Sequence, residues 1–181
     1  ANDFITELRK VQDTLRVGTT QDSDYDVPYT TLHVGRIKGG GALNIVPHLC
    51  ELDFEIRNLA QDDAAEILDN LTQAAKSIAL EAQNIASEAN IEIEVFNTYP
   101  GLDTAGNEPV VGFVKSLTGA NSTIKVAYGT EGGLFDQRLG VPTVVCGPGD
   151  MAQGHKPDEF ITETQLAACD TMLQNLLQRL I

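Results

Sequence analysis

The groups in this sequence that a packed core does not need lie in glycine-rich runs at the ends of apolar segments. The densest run is CGPGDMAQGHKPDEF, from Cys146 to Phe160, and it holds His155. Neutral imidazole is the commonest metal ligand and a usual acid-base group, and neighbouring glycines let backbone bend around a small molecule. An inert loop histidine is the other reading. In YGTEGGL, residues 128–134, Glu131 sits between glycines. Its carboxylate can face a metal or a cationic substrate, or supply negative charge to the N-terminus of a following short helix. Asn44 and Arg57 mark the start and end of a β-type segment. An arginine there can grip a carboxylate through a pair of parallel hydrogen bonds, or settle into an ordinary surface ion pair.

Other candidates carry less. Gly39-Gly40-Gly41 joins two strands instead of opening a helix, so a hairpin turn is expected and the dinucleotide fingerprint fails. His33 and His48 have no metal-type spacing and read as structural. With three histidines and no HxxxH or HxD pattern, the chain cannot close a zinc site by itself. Cys50, Cys146 and Cys169 show no CxxC spacing and sit in apolar surroundings, which predicts buried thiols in a reducing, cytoplasmic compartment.

The elements that must hold these groups follow from periodicity. Residues 3–17 carry helical spacing closed by Gly18, and a polar loop leads to Pro28. Residues 29–38 are rich in Thr, Val and Ile. From Asn44 to Arg57, Cys50, Leu52, Phe54 and Ile56 alternate with Glu51, Asp53, Glu55 and Arg57, which predicts an antiparallel hairpin with one wet face. Asp62 and Asp63 can start a long helix whose stripe is Ile67, Leu71, Ala74, Ala75, Ile78, Ala82 and Ile85. A strand is expected at 91–96. Helix, two strands, helix, strand is a ferredoxin-like α+β order without its first strand. The helical spacing is already under way at Ala1, so an earlier start to the polypeptide is expected.

The turn-rich residues 97–107 suggest a domain boundary, giving units of 1–98 and 99–181. Beyond it, Asn107 can cap a helix with Pro109 in its first turn and Gly119 at its end. Strands are expected at 123–128 and 143–146, the latter buried on both faces. A capping box, Thr162 with Gln165, opens a last helix with Leu166, Cys169, Leu173, Leu176, Leu177 and Leu180 as its stripe. This half resembles part of an α/β layer, whose ligands bind beyond the carboxyl ends of the strands.

Composition narrows the partners. The 181 residues are 42% hydrophobic and 21% charged, as in folded globular proteins, with a formal net charge of −14. Such a field repels phosphate backbones and anionic headgroups, so neither nucleic acid nor a membrane surface is an expected partner. The apolar runs fall well short of the roughly 20 residues of a membrane span.

YTTLHVGRIKGGGALNIVPHLCELDFEIR together with AYGTEGGLFDQRLGVPTVVCGPGDMAQGHKPDEF resembles the acetylornithine deacetylase branch of the dinuclear-zinc aminoacylase and carboxypeptidase (M20) family. The second block is the more specific. The resemblance implies a ferredoxin-like lid that also makes a homodimer, incomplete at its start here, followed by the C-terminal part of a zinc-peptidase-like α/β catalytic domain. It implies that His155 is a zinc ligand and that Asn44 and Arg57 reach toward the acyl and carboxylate groups of an N-acyl amino acid. Glu131 and the Gly147 turn would line the pocket. Two zincs, or cobalt in their place, would serve the complete site. The family's first histidine, bridging aspartate, paired glutamates and lid histidine are expected before Ala1, so this chain alone is predicted to be inactive. The implied substrate is N-acetylornithine, on the way to arginine. The alternatives are a succinylated diamino acid, a dipeptide, or a dimerisation module without chemistry.

Overall fold

The computed structural model describes every residue except His155. By contacts the chain divides into two compact units, Ala1–Thr98 with Val126–Tyr128, and Tyr99–Lys125 with Gly129–Ile181.

In the first unit, helix α1 (Asn2–Val17) is followed by strands β1 (Thr31–Gly39) and β2 (Cys50–Arg57) and helix α2 (Ala64–Ala82). The strands pair antiparallel, from Thr31 opposite Arg57 to Gly39 opposite Cys50, with a register shift between Val34 and Arg36. That bulge has a reason in the sequence. A strict two-residue period would put Ile37 on the face of His33; one extra residue at Gly35 instead lines up His33, Arg36 and Lys38 opposite Glu55, Asp53 and Glu51. Ion pairs of 2.7 Å (Arg36 Nε to Asp53) and 3.4 Å (Lys38 Nζ to Glu51) occupy this wet face.

The other face is the core. Leu32, Val34, Leu52, Phe54 and Ile56 pack on Phe4, Leu8, Ile67, Leu71 and Ala75 from the two helices. The rings of Phe4 and Phe54 meet edge to face, 5.8 Å between centroids. The Gln12 carboxamide ties α1 to β1, accepting from the Leu32 N–H at 2.6 Å and donating to the Thr30 carbonyl at 3.5 Å. The predicted roles of the two aspartates separate. Asp63 caps α2, accepting from the N–H groups of Ala65 and Glu66, whereas Asp62 binds the buried Thr30 hydroxyl.

Several expectations need correction. The second strand begins at Cys50 and not at Asn44, and residues 40–49 form a longer loop; Pro47 has no N–H to give a ladder. Ile85 lies beyond the end of α2 and is 94% exposed. Residues 91–96 form no strand. Ile91 and Ile93 still pack against the core, but the two-stranded pair β1–β2 is the sheet found among the described residues.

The second unit is helical: α3 (Pro109–Thr118), α4 (Gly132–Leu139) and α5 (Glu163–Leu180). Gly119 (φ 75°) and Gly140 (φ 64°) end α3 and α4 in the left-handed conformation that lacks a penalty only for glycine. Glu108, not Asn107, is the N-cap of α3. The expected strands at 123–128 and 143–146 are absent among the described residues, and Val145 and Cys146 are exposed instead of buried. Strand geometry needs a ladder partner for its backbone groups, and among the described residues the β1–β2 pair is the ladder found. The capping box Thr162–Gln165 opens α5 as expected. Its leucine stripe is not buried, however; Leu173 and Leu177 are exposed. Asn175 donates to the Leu117 carbonyl at 2.9 Å and Arg179 lies over the Phe113 ring, joining α5 to α3. No helix described here is long and apolar enough to cross a membrane.

Candidate functional site

Arg57 closes β2. Residues two apart on a strand share a face, so Glu55 stands beside it and grips the guanidinium with both oxygens: Nε to Oε1 at 2.8 Å and Nη2 to Oε2 at 3.3 Å. Nη1 donates to the Ala127 carbonyl at 2.9 Å. His33 Nδ1 is 3.9 Å from the same Glu55 carboxylate. Arg57 and Glu55 are about half exposed, so the pair contributes at most about 1 kcal/mol. Its value is geometric, because three directed hydrogen bonds orient the plane of the guanidinium.

Asn44 is exposed in the 40–49 loop. That loop leaves the ladder at Gly39 and Cys50, the end opposite Arg57. At about 3.3 Å per residue the ladder from Cys50 to Arg57 runs for roughly 23 Å. Within one copy the ladder therefore sets the base of the loop that carries Asn44 at one end of the hairpin and Arg57 at the other.

In the second unit, Glu131 is the N-cap residue of α4, exposed and without a side-chain cap hydrogen bond. The Thr130 hydroxyl instead accepts from the Gly132 N–H at 3.1 Å. The glycines of this turn are required by close packing. A Cβ on Gly129 would lie 1.8 Å from the Tyr99 hydroxyl, and one on Gly133 would lie 2.1 Å from the Pro100 carbonyl oxygen. Gln137 donates to the Gly101 carbonyl at 3.1 Å, and Lys125 pairs with Asp103 at 2.8 Å. Residues 99–104, which lie within the 97–107 stretch read from the sequence as a boundary, thus brace the turn that carries Glu131.

Gly147 is exposed, with nothing within 4 Å of where its Cβ would be. Beside it the Cys146 thiol donates to Met172 Sδ at 3.5 Å. The three cysteines are free, but Cys50 and Cys146 are exposed and Cys169 is partly so, which corrects the expectation of buried thiols. His155, expected as the metal ligand, lies outside the described residues. Among the described residues no group of three or more His, Cys, Asp or Glu side chains can hold a metal ion. The described donors therefore do not make a zinc site by themselves.

Residues 1–83 match the model of the peptidase dimerisation domain of the M20 type. That stretch belongs to the M20 peptidase dimerisation family. Similarity to known proteins extends past this domain. The chain is 31% identical over 160 residues to an acetylornithine deacetylase from Yersinia pseudotuberculosis, covering 88% of this chain and 39% of that protein. Acetylornithine deacetylases from Myxococcus xanthus (30%) and Pasteurella multocida (32%) match over 84% of this chain and 38% of their own length. The chain thus spans about two fifths of the curated relatives it matches. In fold it is similar to a tripeptidase from Staphylococcus aureus, with a TM-score of 0.60 at 22% identity over 96% of this chain and 44% of that one. The helix–hairpin–helix of the first unit is consistent with a ferredoxin-like lid of the M20 type, and a helical segment follows it.

Sequence reasoning missed Glu55, the Ala127 carbonyl and the Tyr99–Pro100 brace. Glu55 was visible as the acid two residues before Arg57 on the same face. A backbone carbonyl 70 residues away leaves no sequence signal.

Proposed function

We propose that the parent protein is a metal-dependent amidohydrolase of the acetylornithine deacetylase branch, acting in the cytoplasm as a homodimer made through the lid. In this reading residues 1–98 are the lid and residues 99–181 the C-terminal part of an α/β catalytic domain. The observation that carries it is the identity of 30–32% to acetylornithine deacetylases across both units. The reaction adds water across an amide bond, releasing acetate and the free amine of ornithine.

Each residue then has a part. Arg57 would pair with the substrate α-carboxylate, since a guanidinium matches that group in geometry and charge. Asn44 would meet the acyl group. Glu131 and Gly147 would line the pocket. His155 would be one donor to a zinc or cobalt centre whose other donors come from the remainder of the parent, which makes the isolated chain inactive.

A module for dimerisation without chemistry is the second reading, favoured by the match of residues 1–83 alone to a dimerisation domain. The test is the full-length parent and its His155→Ala variant, assayed for bound metal and for turnover of N-acetylornithine, a succinylated diamino acid and a dipeptide. Turnover of N-acetylornithine that falls at least about a hundredfold in the variant, as loss of a metal ligand requires, supports the proposal. Near-normal turnover with full metal content in the variant overturns the assignment of His155, and no turnover of any substrate by the metal-loaded parent favours the dimerisation module.

A further inference from the structure

We infer that Glu55 and Arg57 form a latch that holds residues 126–128 at the end of β2, with Glu55 as the positioning residue that orients Arg57 for this contact. By contacts the chain runs in the second unit from Tyr99 to Lys125, belongs to the first unit for the three residues Val126–Tyr128, and leaves it again at Gly129. The hydrogen bond from Arg57 Nη1 to the Ala127 carbonyl at 2.9 Å reaches into the middle of that short stretch.

A guanidinium on a flexible stem does not choose its own plane. Glu55 does so by taking Nε and Nη2 together, and the fork geometry then directs Nη1 at the carbonyl. A lysine at 57 would offer a point charge and no such coupling. The kinetic readout below rests on the proposed reading, in which Arg57 meets substrate; the latch itself does not.

The experiment compares the full-length parent with its Glu55→Ala, Glu55→Gln and Arg57→Ala variants, measuring amide hydrogen exchange at residues 126–128 without substrate and KM and kcat for N-acetylornithine. Exchange there should quicken by up to about fivefold in Glu55→Ala and Arg57→Ala, the scale of an exposed ion pair. Glu55→Gln should stay closer to the parent, because its carbonyl still accepts from Nε. Unchanged exchange at 126–128 in Glu55→Ala overturns the latch, whatever the kinetics; a raised KM in Arg57→Ala would then leave the carboxylate reading standing. Quickened exchange in both alanine variants, with no turnover by any of the proteins, supports the latch and removes the functional reading instead. Should Arg57→Ala fail to fold, the two Glu55 variants carry the test.

Discussion

The buried hydroxyl of Thr30 donates to the carboxylate of Asp62 and accepts from the Leu59 N–H at 2.8 Å. One side chain thereby joins the start of β1 to the chain leading into α2. Thr30→Val keeps the shape but leaves the Leu59 N–H buried without that acceptor. An orphaned buried donor costs about 1–3 kcal/mol, so the urea midpoint should fall accordingly. Thr30→Ser, which keeps the oxygen, should lose less.

Gly133 and Gly112 should respond to alanine with opposite signs. At Gly133 the new Cβ meets the Pro100 and Gly101 carbonyl oxygens at 2.1 and 2.8 Å, and these are backbone atoms with little freedom to yield. Overpacking of this kind costs about 1–3 kcal/mol. Gly112, inside α3, has nothing within 4 Å of its Cβ position. Its replacement should stabilise by about 0.5–1 kcal/mol through helix propensity alone. Thermal denaturation of the two variants checks the contrast.

Leu71 and Ile85, both assigned from the sequence to one helical stripe, should differ sharply. Leu71 is fully buried in the core, whereas Ile85 is 94% exposed. Leu71→Ala should cost about 2–5 kcal/mol, and Ile85→Ala should stay within about 0.5 kcal/mol. Equal losses in chemical denaturation would mean that the stripe does continue through residue 85 in solution.

The sequence was most informative where chemistry is local. Periodicity identified α1, α2 and α5; the short side chains of Asp63 and Thr162 marked two helix starts, and Gly119 marked a helix end. Alternation from Cys50 to Arg57 assigned the wet and dry faces of the hairpin, because side chains on a strand must point alternately. The break in the alternation of β1 at Gly35 is also present in the sequence, as the misplaced parity of Ile37.

Strands at 91–96, 123–128 and 143–146 were not decided by their residues. A strand is a relation between two segments, and apolar β-branched runs become one only where a neighbour supplies the opposite half of the ladder. The same distinction governs the site. Residue types alone singled out Arg57, Glu131 and His155, since charge and hydrogen-bonding capacity belong to the side chain itself. That Arg57 is oriented by Glu55 against the Ala127 carbonyl, and that Tyr99 and Pro100 lie where side chains on Gly129 and Gly133 would stand, only the tertiary structure decided, because these contacts join groups whose approach is set by chain folding and not by spacing in the sequence.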